Sequence, residues 1–161
     1  MSAALRTMVL GLGNLVMSDD GVGVRVVNHL ADWYRFPDDV VLLDGGTLGL
    51  DILPRLEGID RLLVVDAVDN GKSPGDLVRL VGDEVPVALS TKLSPHQMGL
   101  KDLLAVAELQ GILPTEVVLA GVQPGSIEMG MELSVEVEGA LSGLAGLVLS
   151  ELERWGVAPA Q

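Results

Sequence analysis

Cysteine is absent from the 161 residues, which removes disulfides, thiolate metal sites and cysteine nucleophiles together. Aromatics make up only 2%, so Val, Leu, Ile, Ala and Met have to fill the core. Basic residues are few: 10 Lys and Arg stand against 23 Asp and Glu, a formal charge of -13. So acidic a chain repels nucleic-acid phosphates and anionic membrane surfaces, and neither is expected as a partner. No apolar run approaches the ~20 residues of a membrane span. The start "MSAALRTMVL" has no signal-peptide h-region, so a cytoplasmic protein is expected.

What is present is a folding composition. Hydrophobic residues reach 48%, with 20 glycines, and residues 1–161 read as a single domain. Strand and helix patterns alternate. "TMVLGLG" opens with a strand from Thr7 to about Leu10. A helix from about Gly21 to Tyr34 places Val22, Val26, Leu30 and Tyr34 on one side. "DVVLLDGG" gives a strand ending at Asp44, "LGLDILPRL" a short helix limited by Pro54, and "DRLLVVDAVD" a strand ending near Asp66. Leu77–Val81 and Glu116–Val122 read as further strands. Residues 83–97 read as a loop, with a helix from about Leu100 to Leu109. A last helix starts near Ser134, a plausible N-cap, and ends near Trp155. The expected fold is a three-layer α/β/α sandwich with a mostly parallel twisted sheet of about five strands.

The stretch "GLGNLVMSDDG" begins like a dinucleotide-binding turn, yet Val16 stands where the third glycine belongs and no P-loop lysine follows. Asp19 and Asp20 then put two carboxylates at the helix start. They would repel a pyrophosphate by on the order of a kcal/mol or more in a partly desolvated site. Capping explains one of them, since acids stabilise a helix start by ~0.3–1 kcal/mol. Asp19 reads as that cap, and Asp20 is left as the candidate for chemistry.

Ligands of open parallel sheets bind outside the carboxyl ends of the strands. Asp20, Asp44 and Asp66 each follow an apolar strand and are expected to emerge into one crevice there. Three like charges together call for a cation, a proton or an arginine. Of two histidines, His29 lies mid-helix and reads as a surface residue without a role. His96, in the loop "LSPHQMGL", can join two carboxylates in an open-sided site for a zinc-like or nickel-like ion.

Four segments, "GLGNLVMSDDGVGVRVV", "LLDGGTLGL", "LLVVDAVD" and "LSPHQMGLKDLL", together with "VVLAGVQPGSIEMGMELSVEVEGAL", resemble the hydrogenase maturation proteases from residue 8 to about 150. The resemblance implies an endopeptidase that trims the C-terminal extension from the precursor of a nickel–iron hydrogenase large subunit. It implies metal contacts at Asp20, Asp66 and His96, with Asp44 also implicated, so that Asp20, Asp66, His96 and Asp44 form the catalytic set. The cofactor is nickel carried by the substrate, and other divalent ions are expected to fill the site in vitro. The partner is the precursor, met by a monomer. Water is the expected nucleophile, activated by the metal or by a carboxylate, since no G-x-S-x-G elbow occurs. Two alternatives stand beside this: a non-catalytic nickel-state sensor or assembly chaperone of the same fold, and a doubly wound nucleotide-binding domain.

Overall fold

The structure, a computed structural model, describes residues 4–88 and 95–161, with backbone alone for Pro95, His96 and Met98. Strand β1, Thr7–Leu12, is buried along its whole length, as an apolar run covered on both faces requires. It leads through a 3-10 turn, Ser18–Gly21, into helix α1, Val22–Trp33. Val22, Val26 and Leu30 of α1 are buried, at the i, i+4 spacing of one helix face. Strand β2, Val40–Gly46, is followed by a second 3-10 turn, Gly49–Ile52, that continues into α2, Leu53–Leu56. Pro54 sits in the first turn of α2. It begins that helix instead of limiting it, because an N-terminal turn has no use for the missing N–H.

Strand β3, Arg61–Ala67, and strand β4, Leu77–Val81, come next, then α3, Glu84–Ala88, and α4, Pro95–Gln110. Strand β5, Glu116–Val122, and helix α5, Val135–Arg154, complete the chain. Ser134 caps α5, its side chain accepting from Val137 N at 3.3 Å. The expected loop over 83–97 is corrected on both sides. Residues 84–88 are helical, and α4 starts at Pro95, five residues before Leu100. A proline at the first helical position starts a helix as readily as it punctuates a loop. Residues 89–94 of that stretch lie outside the described residues.

The five strands form one sheet in the order β2-β1-β3-β5-β4. All neighbours are parallel except β4, which runs antiparallel to β5 at the edge. On one face α1 and α5 cover Val9, Leu63, Val65, Val118 and Ala120. On the other α2 and α4 cover Met8, Leu10, Leu62, Val64 and Leu119. The three-layer α/β/α expectation therefore holds. From β1 the chain moves outward to β2, then returns past β1 to β3. The carboxyl ends of β1 and β3 thus flank a topological switch point, where such sheets open a crevice. Among the described residues no helix is long and apolar enough to cross a membrane.

Candidate active site at the carboxyl edge of the sheet

The glycines after β1 serve packing, not phosphate. A Cβ on Gly13, whose φ is +131°, would lie 1.8 Å from the Asp20 carbonyl oxygen. One on Gly23 would lie 2.0 Å from the Val65 carbonyl oxygen. Bare backbone at both points lets the 3-10 turn fold down onto the ends of β1 and β3. Ser18 takes a positive φ of 53°, unusual for a residue with a side chain. Two bonds hold it there: its N donates to Gly130 O at 2.8 Å and its Oγ to Glu128 O at 2.5 Å.

The adjacent acids of this turn have separate tasks. Asp19 is 0% exposed and makes no cap bond to its own turn. Its Oδ1 accepts from Ser134 N at 2.8 Å. Its Oδ2 accepts from Gly125 N at 2.7 Å, Ser126 N at 2.9 Å and Ser134 Oγ at 2.7 Å. Burial alone would push this carboxyl up. The Ser134 hydroxyl and the three N–H groups outweigh it and hold the carboxyl below the usual range. The cap reading of Asp19 is thereby corrected: it binds the loop after β5 to the turn after β1. Asp20 keeps 8% exposure and accepts from Asn14 N at 3.1 Å. It lies in the turn that packs against β3.

Asp66 lies in the buried run of β3, one residue before its end, and is itself 0% exposed. It shares the parity of Leu62 and Val64 and so faces α4. Its Oδ1 accepts from Ala67 N at 2.8 Å, and its Oδ2 from Gln97 Nε2 at 3.3 Å. The same Gln97 amide donates to Ala67 O at 2.7 Å. Gln97 thus ties the first turn of α4, which carries His96, to the end of β3. On its other side that turn meets the second 3-10 turn without side chains between them. A Cβ on Gly99 would lie 2.9 Å from Gly49 Cα. The His96 side chain lies outside the described residues. Among the described residues no three His, Asp or Glu side chains are grouped as a metal site; Asp20 and Asp66 supply two carboxylates at the ends of neighbouring strands.

Asp44 does not join Asp66. In the sheet it shares a row with Gly11 and Val65, one residue out of step with Asp66. A Cβ on Gly11 would meet Val27 of α1, which shows the face this row presents. Asp44 Oδ2 accordingly accepts from Asn28 Nδ2 of α1 at 3.2 Å, and its Oδ1 from Gly46 N at 3.1 Å. The expectation of one crevice for all three strand-end acids is corrected: the sheet stands between Asp44 and Asp66. His29 also lies on the α1 side, its ring 5.2 Å from that of Trp33, in a groove of about 880 Å³ between α1 and α5.

A model of the hydrogenase maturation protease family matches residues 24–151. The chain belongs to that family. It is 38% identical over 154 residues to the hydrogenase 2 maturation protease of Escherichia coli, covering 95% of this chain and 94% of that one. It is 42% identical over 154 residues to the hydrogenase expression/formation protein HupD of Rhodobacter capsulatus, covering 94% and 73%. The solved structure of the E. coli hydrogenase maturating endopeptidase HybD superposes with a TM-score of 0.93 at 37% identity, over 97% of both chains. A [NiFe] hydrogenase maturation protease HybD from Thermococcus kodakarensis gives 0.76 at 28% identity, over 91% and 99%.

Sequence reasoning missed two functional-looking residues of this maturation protease. Asp19 pairs with donors more than 100 residues away, and no local pattern announces that. Gln97 adjoins His96, and the word "PHQM" held its signal: a polar amide beside a candidate ligand, at the start of a helix.

Proposed function

We propose that this maturation protease removes the C-terminal extension of a nickel-loaded hydrogenase large-subunit precursor, meeting the nickel through Asp20, Asp66 and His96. The observation that carries the reading is the position of Asp20 in the turn packed on the ends of β1 and β3, with Asp66 near the end of β3. These strands border the switch point, and the turn carrying His96 is bound to the same strand end by Gln97. Two carboxylates and an imidazole form a hard-to-borderline donor set. It can touch nickel held by a partner's thiolates without stripping it. A water nucleophile fits a chain without cysteine or a nucleophile elbow. It adds to the scissile carbonyl while a carboxylate takes its proton, and that proton passes to the tail's nitrogen as the C–N bond breaks and the amine departs.

Asp44, turned toward α1, enters as a support of the rim and not as a ligand. The test is cleavage of nickel-loaded and nickel-free precursor by the purified protein, followed by mass of the released tail. Nickel-dependent release is expected, and release that ignores nickel would defeat the recognition step. Binding without release would identify the non-catalytic sensor instead.

A further inference from the structure

The loop after β5 combines features that a spacer does not need. Residues 127–132 read Ile-Glu-Met-Gly-Met-Glu. Ile127, Met129 and Met131 are 54%, 84% and 59% exposed, and Glu128 and Glu132 are exposed beside them. Large apolar side chains in water mark contact surfaces when they cluster. Unbranched methionines in particular adapt to varied partners. Yet this loop is fixed. Asp19 holds its two ends at Gly125, Ser126 and Ser134. Its middle is held where Gly130 N donates to Val16 O and Ser18 N to Gly130 O, and the Arg25 guanidinium donates to the Met131 carbonyl. The ordering entropy has been met before any partner arrives, which favours binding.

The position of the loop is equally telling. One flank is hydrogen-bonded to residues 16–19, beside Asp20. At its other end Met131, Glu132 and Leu133 line the groove between α1 and α5. From residue 123 to 138 the chain carries Glu128, Glu132, Glu136 and Glu138 and no Lys or Arg. The strip's own side chains are therefore apolar and acidic together, and Arg25, which lines the adjoining groove, donates its guanidinium to the Met131 carbonyl. The strip's complement is an extended polypeptide with apolar and basic side chains.

We infer that the 127–132 strip docks an extended, apolar and basic segment of the substrate polypeptide, leading it from the α1/α5 groove to the corner of Asp20. The inference rests on the proteolytic reading above and names how the substrate is gripped.

Two surface variants test it: Ile127→Ser/Met129→Ser/Met131→Ser and Glu128→Gln/Glu132→Gln. Both are assayed on nickel-loaded precursor, with thermal melts as the folding control. Each should raise KM about tenfold, with a smaller change in kcat and the melting temperature kept. Raising the salt should raise the wild-type KM and leave that of the glutamine variant nearly level, because exposed charges are screened. Leu109→Ser, exposed by 87% at the far end of α4, should change neither constant. Wild-type cleavage with KM unchanged in both variants would overturn the strip. A wild-type protein that leaves the precursor whole would instead overturn the proteolytic reading.

Discussion

Asp19 and Glu151 are both withdrawn from water, at 0% and 1% exposure, and they are satisfied by opposite means. Glu151, on α5, is met by cations. Its carboxylate takes the Arg79 guanidinium of β4, with Arg154 Nε at 3.7 Å. That pair fastens α5 to the antiparallel edge strand, away from the switch point, and its charges cancel. Asp19 is met by neutral N–H and O–H groups alone among the hydrogen bonds described for it. These solvate the anion without cancelling it. A buried acid beside the proposed nickel contact is thus stabilised in a way that leaves the local field negative. A buried acid in the scaffold needs no such restraint.

The largest effect expected is at the neighbouring acid, buried but for 8% of its surface. Asp20→Asn keeps shape and removes charge, so processing of nickel-loaded precursor should fall by at least roughly 100-fold, with the melting temperature nearly unchanged. Retained processing would mean that the field at this corner has no role. Next comes Asp19→Asn. An amide there turns a donor toward donors, and the loss of buried acceptors is expected to cost about 3 kcal/mol, a fall of roughly 10 °C in melting temperature.

The same residue predicts an acid limb. Its carboxyl is held lower in the folded than in the unfolded chain. Its contribution is therefore complete above the usual carboxylate value of about 4 and is lost as pH falls through the lowered folded value. Melts from pH 6 down to pH 2 should steepen less for Asp19→Asn than for the wild type.

Glu151→Gln sharpens the contrast from the other side. Arg79 is 40% exposed and can turn to water when its partner is neutralised, so the loss should be about 1 kcal/mol, and processing should continue. If this variant impaired processing as strongly as Asp20→Asn, the division between site charge and scaffold charge would fail. The smallest effects are expected at Asp44→Asn, a few-fold in processing, and at His29→Ala, none. A strong loss at His29 would move the chemistry to the α1/α5 groove.

The acids near the strand ends were legible because they follow apolar runs, "MVLGLG" upstream of Asp20 and "LLVV" before Asp66, although β1 and β2 each run two residues past the expected ends at Leu10 and Asp44. What a strand end does not disclose is its face. Asp44 and Asp66 close similar words, "VVLLD" and "LLVVD", yet the pairing of Asp44 with Gly11, and of Gly11 with Val65, sends them to opposite sides. Parity within one strand is readable, whereas register between strands needs the fold. Asp19 shows a second limit. A local rule, acid at a helix start, accounted for it cheaply, and the true partners lie across the sheet in the loop after β5. The start of α4 was missed because Pro95 carries the same sign for a loop and for a first helical turn.

The bare contact between Gly49 and Gly99 has a consequence for how this enzyme can be damaged or tuned. Neither residue offers a side chain to substrate, yet one methyl at position 99 would have to shoulder aside the backbone opposite. The first turn of α4 would tilt, carrying the backbone of residue 96 away from the end of β3. Here the spacing of two main chains sets how the first turn of α4 stands against the end of β3, and a substitution without charge or polarity would shift it.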